Sequence, residues 1–198
     1  MKDTYRTIAE PAEGGYKEKG SKFLGFAFPV RNEAEIAAFL ETLATKYYDA
    51  RHHCYAWRLG PEGKKYRAND AGEPNHSAGD PILNEIKSRE LFDVLVVVVR
   101  YFGGTKLGIP GLIEAYGVAA ADALEAAPKT QRTLTERVGI IFAYDQTAEV
   151  GRVLQKFSLK PVNSEYGADC RQVFEVRLRD HAAVVDIFKE MGIFSESL

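Results

Sequence analysis

The run Asp93 to Tyr101 carries valines that do not alternate with polar residues, which predicts a strand covered on both faces and so the centre of a domain. A second long apolar segment, Phe23 to Val30, follows a strand near Tyr5 to Glu10 and a turn at Gly14-Gly15. Asn32 and Glu35 form an N-cap and capping-box pair. Behind them Ile36, Phe39, Leu40, Leu43 and Tyr47 recur at helical spacing and give one apolar face. His52 to Leu59 reads as a strand, turned at Gly60-Pro61-Glu62-Gly63 into the basic segment Lys64 to Arg67. Its Pro and Gly clusters make Asn69 to Leu83 irregular, with a short helix expected from Asn84 to Glu90. Pro110 sits where a helix would start, and the alanines and Gly117 of Leu112 to Leu124 are small enough to pack closely on the central strand.

The clearest break is Ala126 to Thr133, read as a linker between domains at 1–127 and 134–198. Beyond it Thr135 to Tyr144 is a strand, and Asp145 is expected to cap a helix that buries Val150, Val153, Leu154 and Phe157. Two strands meet at Gly167 to Asp169, the second with Phe174, Val176 and Leu178 inward. Asp180 is expected to cap a last helix that turns Val184, Ile187, Phe188 and Met191 inward and ends at Gly192. Ile193 and Phe194 remain for a short closing strand. The order β-α-β-β-α(β) predicts a ferredoxin-like domain, and the whole chain an α+β class.

Composition narrows the function. At 198 residues, 45% hydrophobic and 27% charged, the chain is long enough for one large domain or two modest ones. Val94 to Val99 is far too short to span a bilayer and Met1 to Gly15 has no apolar leader, so no membrane contact and a cytoplasmic setting are expected. Cys54 and Cys170, far apart and outside any CxxC spacing, are expected as free thiols. A net charge of −2 excludes a strong overall positive field, so any nucleic-acid contact must be local.

The strongest local motif is RYFGGTKLGIPGLIEAY, Arg100 to Tyr116: strand, glycine-rich loop, one lysine, helix. Free N–H groups at a helix start, with Lys106 beside them, favour an anion. The loop GGTKLG matches neither the GxxxxGK[ST] nor the GxGxxG fingerprint, however, and a tight strand-to-helix connection with Gly103 and Gly104 at positive φ is the reading favoured over anion or RNA-backbone contact. Asp70, Glu73, His76, Ser77 and Asp80 crowd the 69–83 loop, but Ser77 lacks the G-x-S-x-G elbow, and such residues ordinarily make Asx and Ser turns. In a strand, only His52 and Cys54 of His52-His53-Cys54 could share a metal, and no second ligand cluster exists, so no metal and no cofactor are expected. Lys17, Lys19, Lys22, Arg51, Arg58, Lys64, Lys65 and Arg67 interleave with Tyr16, Tyr55, Trp57 and Tyr66. That is the pairing of charge and stacking that single-stranded nucleic acid needs, although aromatics in strands also serve as core.

Taken together, GSKFLGFAFPV (20–30), RHHCYAW (51–57), GEPNHSAGDPIL (72–83) and VVRYFGGTKLGIPGL (98–112) resemble the YigZ/IMPACT family over essentially the whole chain. The resemblance implies an N-terminal domain like α/β domains of ribosomal proteins and elongation factor G, with a left-handed βαβ crossover, followed by a ferredoxin-like domain. It also implies a link to translation, which the eukaryotic relatives regulate under amino-acid stress. Their partner, a ribosome-associated activator of an initiation-factor kinase, is not carried over, because they hold a further N-terminal domain. Ala71 stands where relatives often have an acid, and His76-Ser77 where many have Gly-Thr, so roles there do not transfer. No stretch assembles a catalytic site. The expected function is therefore a non-catalytic binding protein contacting ribosome or RNA through Lys17, Lys19, Lys22, Lys64, Lys65, Arg67, Arg100, Gly103, Gly104 and Lys106. The alternatives are an enzyme or sensor for a small anionic ligand at loop 103–108, and a module for a protein partner.

Overall fold

The computed structural model describes residues 3–197. Two compact units divide between Arg132 and Thr133: one is Tyr5–Arg132, and the other gathers Thr133 onward with the stretch ending at Thr4. The stretch expected as a linker instead holds β7 (Lys129–Thr133), which pairs with β1 (Thr4–Ile8).

The larger unit is built on a five-stranded sheet. Its strands are β2 (Ala12–Glu18), β3 (Ser21–Pro29), β4 (His52–Leu59), β5 (Lys65–Asn69) and β6 (Val94–Tyr101), in the order β2-β3-β6-β4-β5. All neighbours are antiparallel, so β3 and β4 run parallel on either side of β6, joined by α1 (Glu33–Lys46). The Asn32 side chain accepts the Glu35 N–H at 2.9 Å and caps α1 as its pattern predicts. Side chains alternate across β6. Leu95, Val97 and Val99 join Phe26, Trp57, Ile36 and Leu43 under α1, whereas Val94, Val96 and Val98 join Cys54, Ala56, Ile82, Ile86, Ala115 and Ala119 under α2 (Gly79–Ser88) and α3 (Gly108–Ala126). The expected double burial of β6 is what the structure shows.

Gly14 and Gly15 lie inside β2 and make no turn. A Cβ on Gly14 would overlap the Asp122–Ala123 backbone of α3, so this glycine serves close approach of helix to sheet. The turn falls at Lys19-Gly20, a two-residue connection with φ of 46° and 82°, as a hairpin matched to strand twist requires. Helix α2 begins at Gly79, ahead of the Asn84 start that local pattern suggests, because Asp70 caps it from across the loop; Pro81 in its first turn needs no N–H partner.

The smaller unit runs β8 (Thr135–Phe142), a 3₁₀ turn at Tyr144–Gln146, α4 (Thr147–Lys156), β9 (Pro161–Tyr166), β10 (Cys170–Arg177), α5 (Leu178–Glu190) and β11 (Phe194–Ser197). Its sheet is antiparallel in the order β11-β8-β10-β9. Val138, Ile140, Phe174, Val176, Val184 and Phe188 form its core. Neither expected aspartate cap is made. Asp145 sits in the 3₁₀ turn, and α5 opens at Leu178, ahead of Asp180, without a side-chain cap.

Candidate binding site at one end of the larger sheet

Strand register brings four separate sequence segments to one end of the five-stranded sheet. Lys22 of β3 lies opposite both Lys17 of β2 and Tyr101 of β6, and Arg100 lies opposite both Phe23 and His52. The Lys19-Gly20 turn, the start of β4, the loop after β5 and the loop after β6 therefore meet. Gly103 donates its N–H to Ser21 Oγ at 3.1 Å, and a Cβ on Gly103 would overlap the Gly20 carbonyl carbon. Of the two glycines expected at positive φ, only Gly104 has it, at 88°; Gly103 is needed for contact with the hairpin. Phe102 to Lys106 is exposed, and α3 begins with no side-chain cap and no acid in its first turn.

Loop 69–78 folds over the α3 side of this end. Asp70 accepts N–H groups from His76, Ala78 and Gly79 at 2.8–2.9 Å. Burial pushes its carboxyl upward, but the three backbone donors outweigh it and hold the pKa below the ordinary aspartate value. Cys54 Sγ donates to the Asp70 carbonyl and His52 Nδ1 to that of Ala71, each at 3.0 Å, tying the loop to β4. Glu73 is buried: one carboxylate oxygen accepts from Arg100 Nη1 at 2.5 Å and from the Tyr116 hydroxyl at 2.8 Å. Burial pushes the Cys54 thiol up to about 12 and the Tyr116 phenol upward too, so both stay protonated. Ser77 is buried and donates to the Pro74 carbonyl at 2.7 Å, while His76 pairs with Asp80 at 2.6 Å in solvent. Glu73 and Ser77 thus hold the loop, and Ser77 is engaged as an anchor.

The basic residues do not form one patch. Lys17, Lys19 and Lys22 cluster on the β2–β3 hairpin at this end, with Arg51 and Lys106 on neighbouring loops. None of these five has a carboxylate within 4.0 Å among the described residues. Lys64, Lys65 and Arg67 belong to the opposite sheet edge, four strand spacings or roughly 19 Å away. There Lys64 pairs with Glu62 at 2.5 Å and Lys65 with Glu33 at 2.6 Å. Arg100 is enclosed beneath the loop. Of the interleaved aromatics, Trp57 is core and Tyr66 lies under Lys87, so neither belongs to this end. Among the described residues no group of three His, Cys, Asp or Glu could hold a metal ion, and no helix is long and apolar enough to cross a membrane.

Sequence reasoning missed Ser21 and Tyr116. The one legible signal was Tyr116 itself, a long polar-tipped side chain within a stripe of alanines.

The family model of the Impact N-terminal domain matches residues 19–124. An IMPACT family member of Thermus thermophilus is 47% identical over 133 residues, 67% of this chain and 69% of that one. IMPACT family member YigZ of Escherichia coli is 32% identical over 152 residues, 76% and 74% of the two chains. The crystal structure of a hypothetical protein, 26% identical, superposes with a TM-score of 0.75 over 100% of this chain and 98% of that one.

Proposed function

The chain belongs to the IMPACT family, and from that premise we propose that it is a non-catalytic binding protein of translation that contacts RNA, on the ribosome or free, through one end of its larger sheet. The observation that carries this reading is the cluster of Lys17, Lys19, Lys22, Arg51 and Lys106 around the exposed Gly103–Gly104 loop, none of them ion-paired with a carboxylate within 4.0 Å among the described residues. Unpaired cations beside backbone N–H groups at an open helix start suit phosphate. Ser77, Glu73 and Asp70 are occupied in holding the loop, which supports binding over catalysis. The same reading takes β8 to β11 as a ferredoxin-like unit, supported by their order, and the β3-α1-β4 connection as the left-handed crossover of elongation-factor-G-like domains.

The test is co-sedimentation with ribosomes and binding to single-stranded RNA across a salt series. Lys19→Ala with Lys22→Ala, and separately Lys106→Ala, are expected to weaken binding and flatten its salt dependence without changing the melting temperature. Lys64→Ala with Lys65→Ala, already paired with acids at the other edge, are expected to leave both unchanged. Absence of binding at low salt would overturn the reading.

A further inference from the structure

Between the start of β4 and the end of β6 lies a cleft of about 420 Å³, lined by Asp49, Ala50, Arg51, His52, Arg100, Tyr101 and Phe102. Its volume falls in the ~300–1,000 Å³ range of small-ligand sites. Three cationic or protonatable side chains and one exposed aromatic converge on it. Arg100 is 7% exposed, and its guanidinium lies 5.6 Å from the Phe102 ring centroid. Glu73 engages Nη1, but the buried Nε of Arg100 has no acceptor among the described residues, an arrangement that costs stability until one is supplied. His52 gives Nδ1 to the Ala71 carbonyl, which leaves Nε2 as its remaining polar ring atom. Asp49, the acid in the lining, is held by the Tyr101 hydroxyl at 2.7 Å. Phe102 is 58% exposed immediately after β6, so its ring is not used by the core.

We propose that this cleft receives a single nucleotide, with its phosphate against the Arg51 and Arg100 guanidinium groups and its base stacked on Phe102. A guanidinium pair recognises phosphate oxygens by charge-assisted hydrogen bonds, and an exposed aromatic offers a face to any base, so the site selects nucleotides without base identity. The assignment deepens the RNA reading by naming where one unit of the strand is held, and it rests on that reading for the source of the nucleotide.

The experiment is calorimetric titration of the full chain with adenosine monophosphate, adenosine, inorganic phosphate and a 5′-phosphorylated oligoribonucleotide. It is repeated with Arg51→Ala and Phe102→Ala, singly and together, both exposed positions whose melting temperatures are expected to match the parent. Adenosine monophosphate should bind at least tenfold more tightly than adenosine or phosphate alone, and each substitution should weaken it at least tenfold. Failure of the parent to bind the mononucleotide, or equal binding by the doubly substituted chain, would overturn the cleft assignment. If the oligonucleotide then still binds in a manner dependent on Lys19, Lys22 and Lys106, the RNA reading survives without it. Mononucleotide binding with no oligonucleotide binding does the opposite: the cleft stands as a small-molecule site and the RNA reading falls.

Discussion

Gly103 and Gly104 stand side by side for different physical reasons. Gly104 has open space around a would-be Cβ but a φ of 88°, so Gly104→Ala should cost about 1 kcal/mol of backbone strain. Gly103 has ordinary φ but no room, because its Cβ would enter the Gly20–Ser21 backbone. Gly103→Ala should therefore destabilise more than Gly104→Ala, and urea denaturation of the two variants checks the order. Glu73 is the other decisive residue. Removing one partner of an enclosed ion pair leaves an uncompensated charge, so Glu73→Ala should cost ~3–5 kcal/mol, and Glu73→Gln, which keeps an acceptor for Arg100 and Tyr116, clearly less. Equal loss in both variants would show that the carboxylate charge, and not the hydrogen bonds, dominates. Gly103 was legible in the sequence as special but for the wrong reason, since φ is local while the neighbour it must avoid, Gly20, belongs to a distant hairpin.

Among the elements, β6 and α1 were legible because their patterns need no knowledge of the partner: an unbroken valine run and a capped amphipathic stretch. The true start of α2 was not, because its cap comes from Asp70, on the far side of the loop from Gly79, and no local rule reaches that far. This cap has a pH signature. Asp70 has a folded pKa held below its unfolded value of ~3.9, so its contribution is fully present above that value and is lost as pH falls through the lower folded one. Asp70→Asn should lower the melting temperature at pH 7 and make its decline below about pH 4 shallower than the parent's. A parallel decline in both proteins would show that Asp70 does not link the loop to pH. The Gly14-Gly15 pair shows the opposite error: local turn chemistry predicts a bend, but pairing with β3 makes both strand residues, and Gly14 is needed for the close approach of α3.

Across the whole molecule, the charge is nearly balanced, yet strand order sorts the basic residues into a hairpin cluster that makes no ion pair among the described residues and a paired cluster at the far edge. Proximity to aromatics along the chain groups Lys64, Lys65 and Arg67 with the others; a strand order of β2-β3-β6-β4-β5 separates them. The convergence of GSKF, RHHC, GEPNHSAGD and RYFGGTK at one sheet end is likewise invisible along the chain, where other elements intervene between these segments. Periodicity, capping and motif identity are carried by neighbouring residues, and so the α+β class, most element types, the doubly covered central strand and the family resemblance could all be read from the chain alone. Which cations stay unpaired, which glycine is a contact, that Ser77 and Glu73 are anchors, and that Arg100 lines a cleft with Phe102 emerged with the folded arrangement. Those are properties of distance in space, and register between strands far apart in sequence sets that distance.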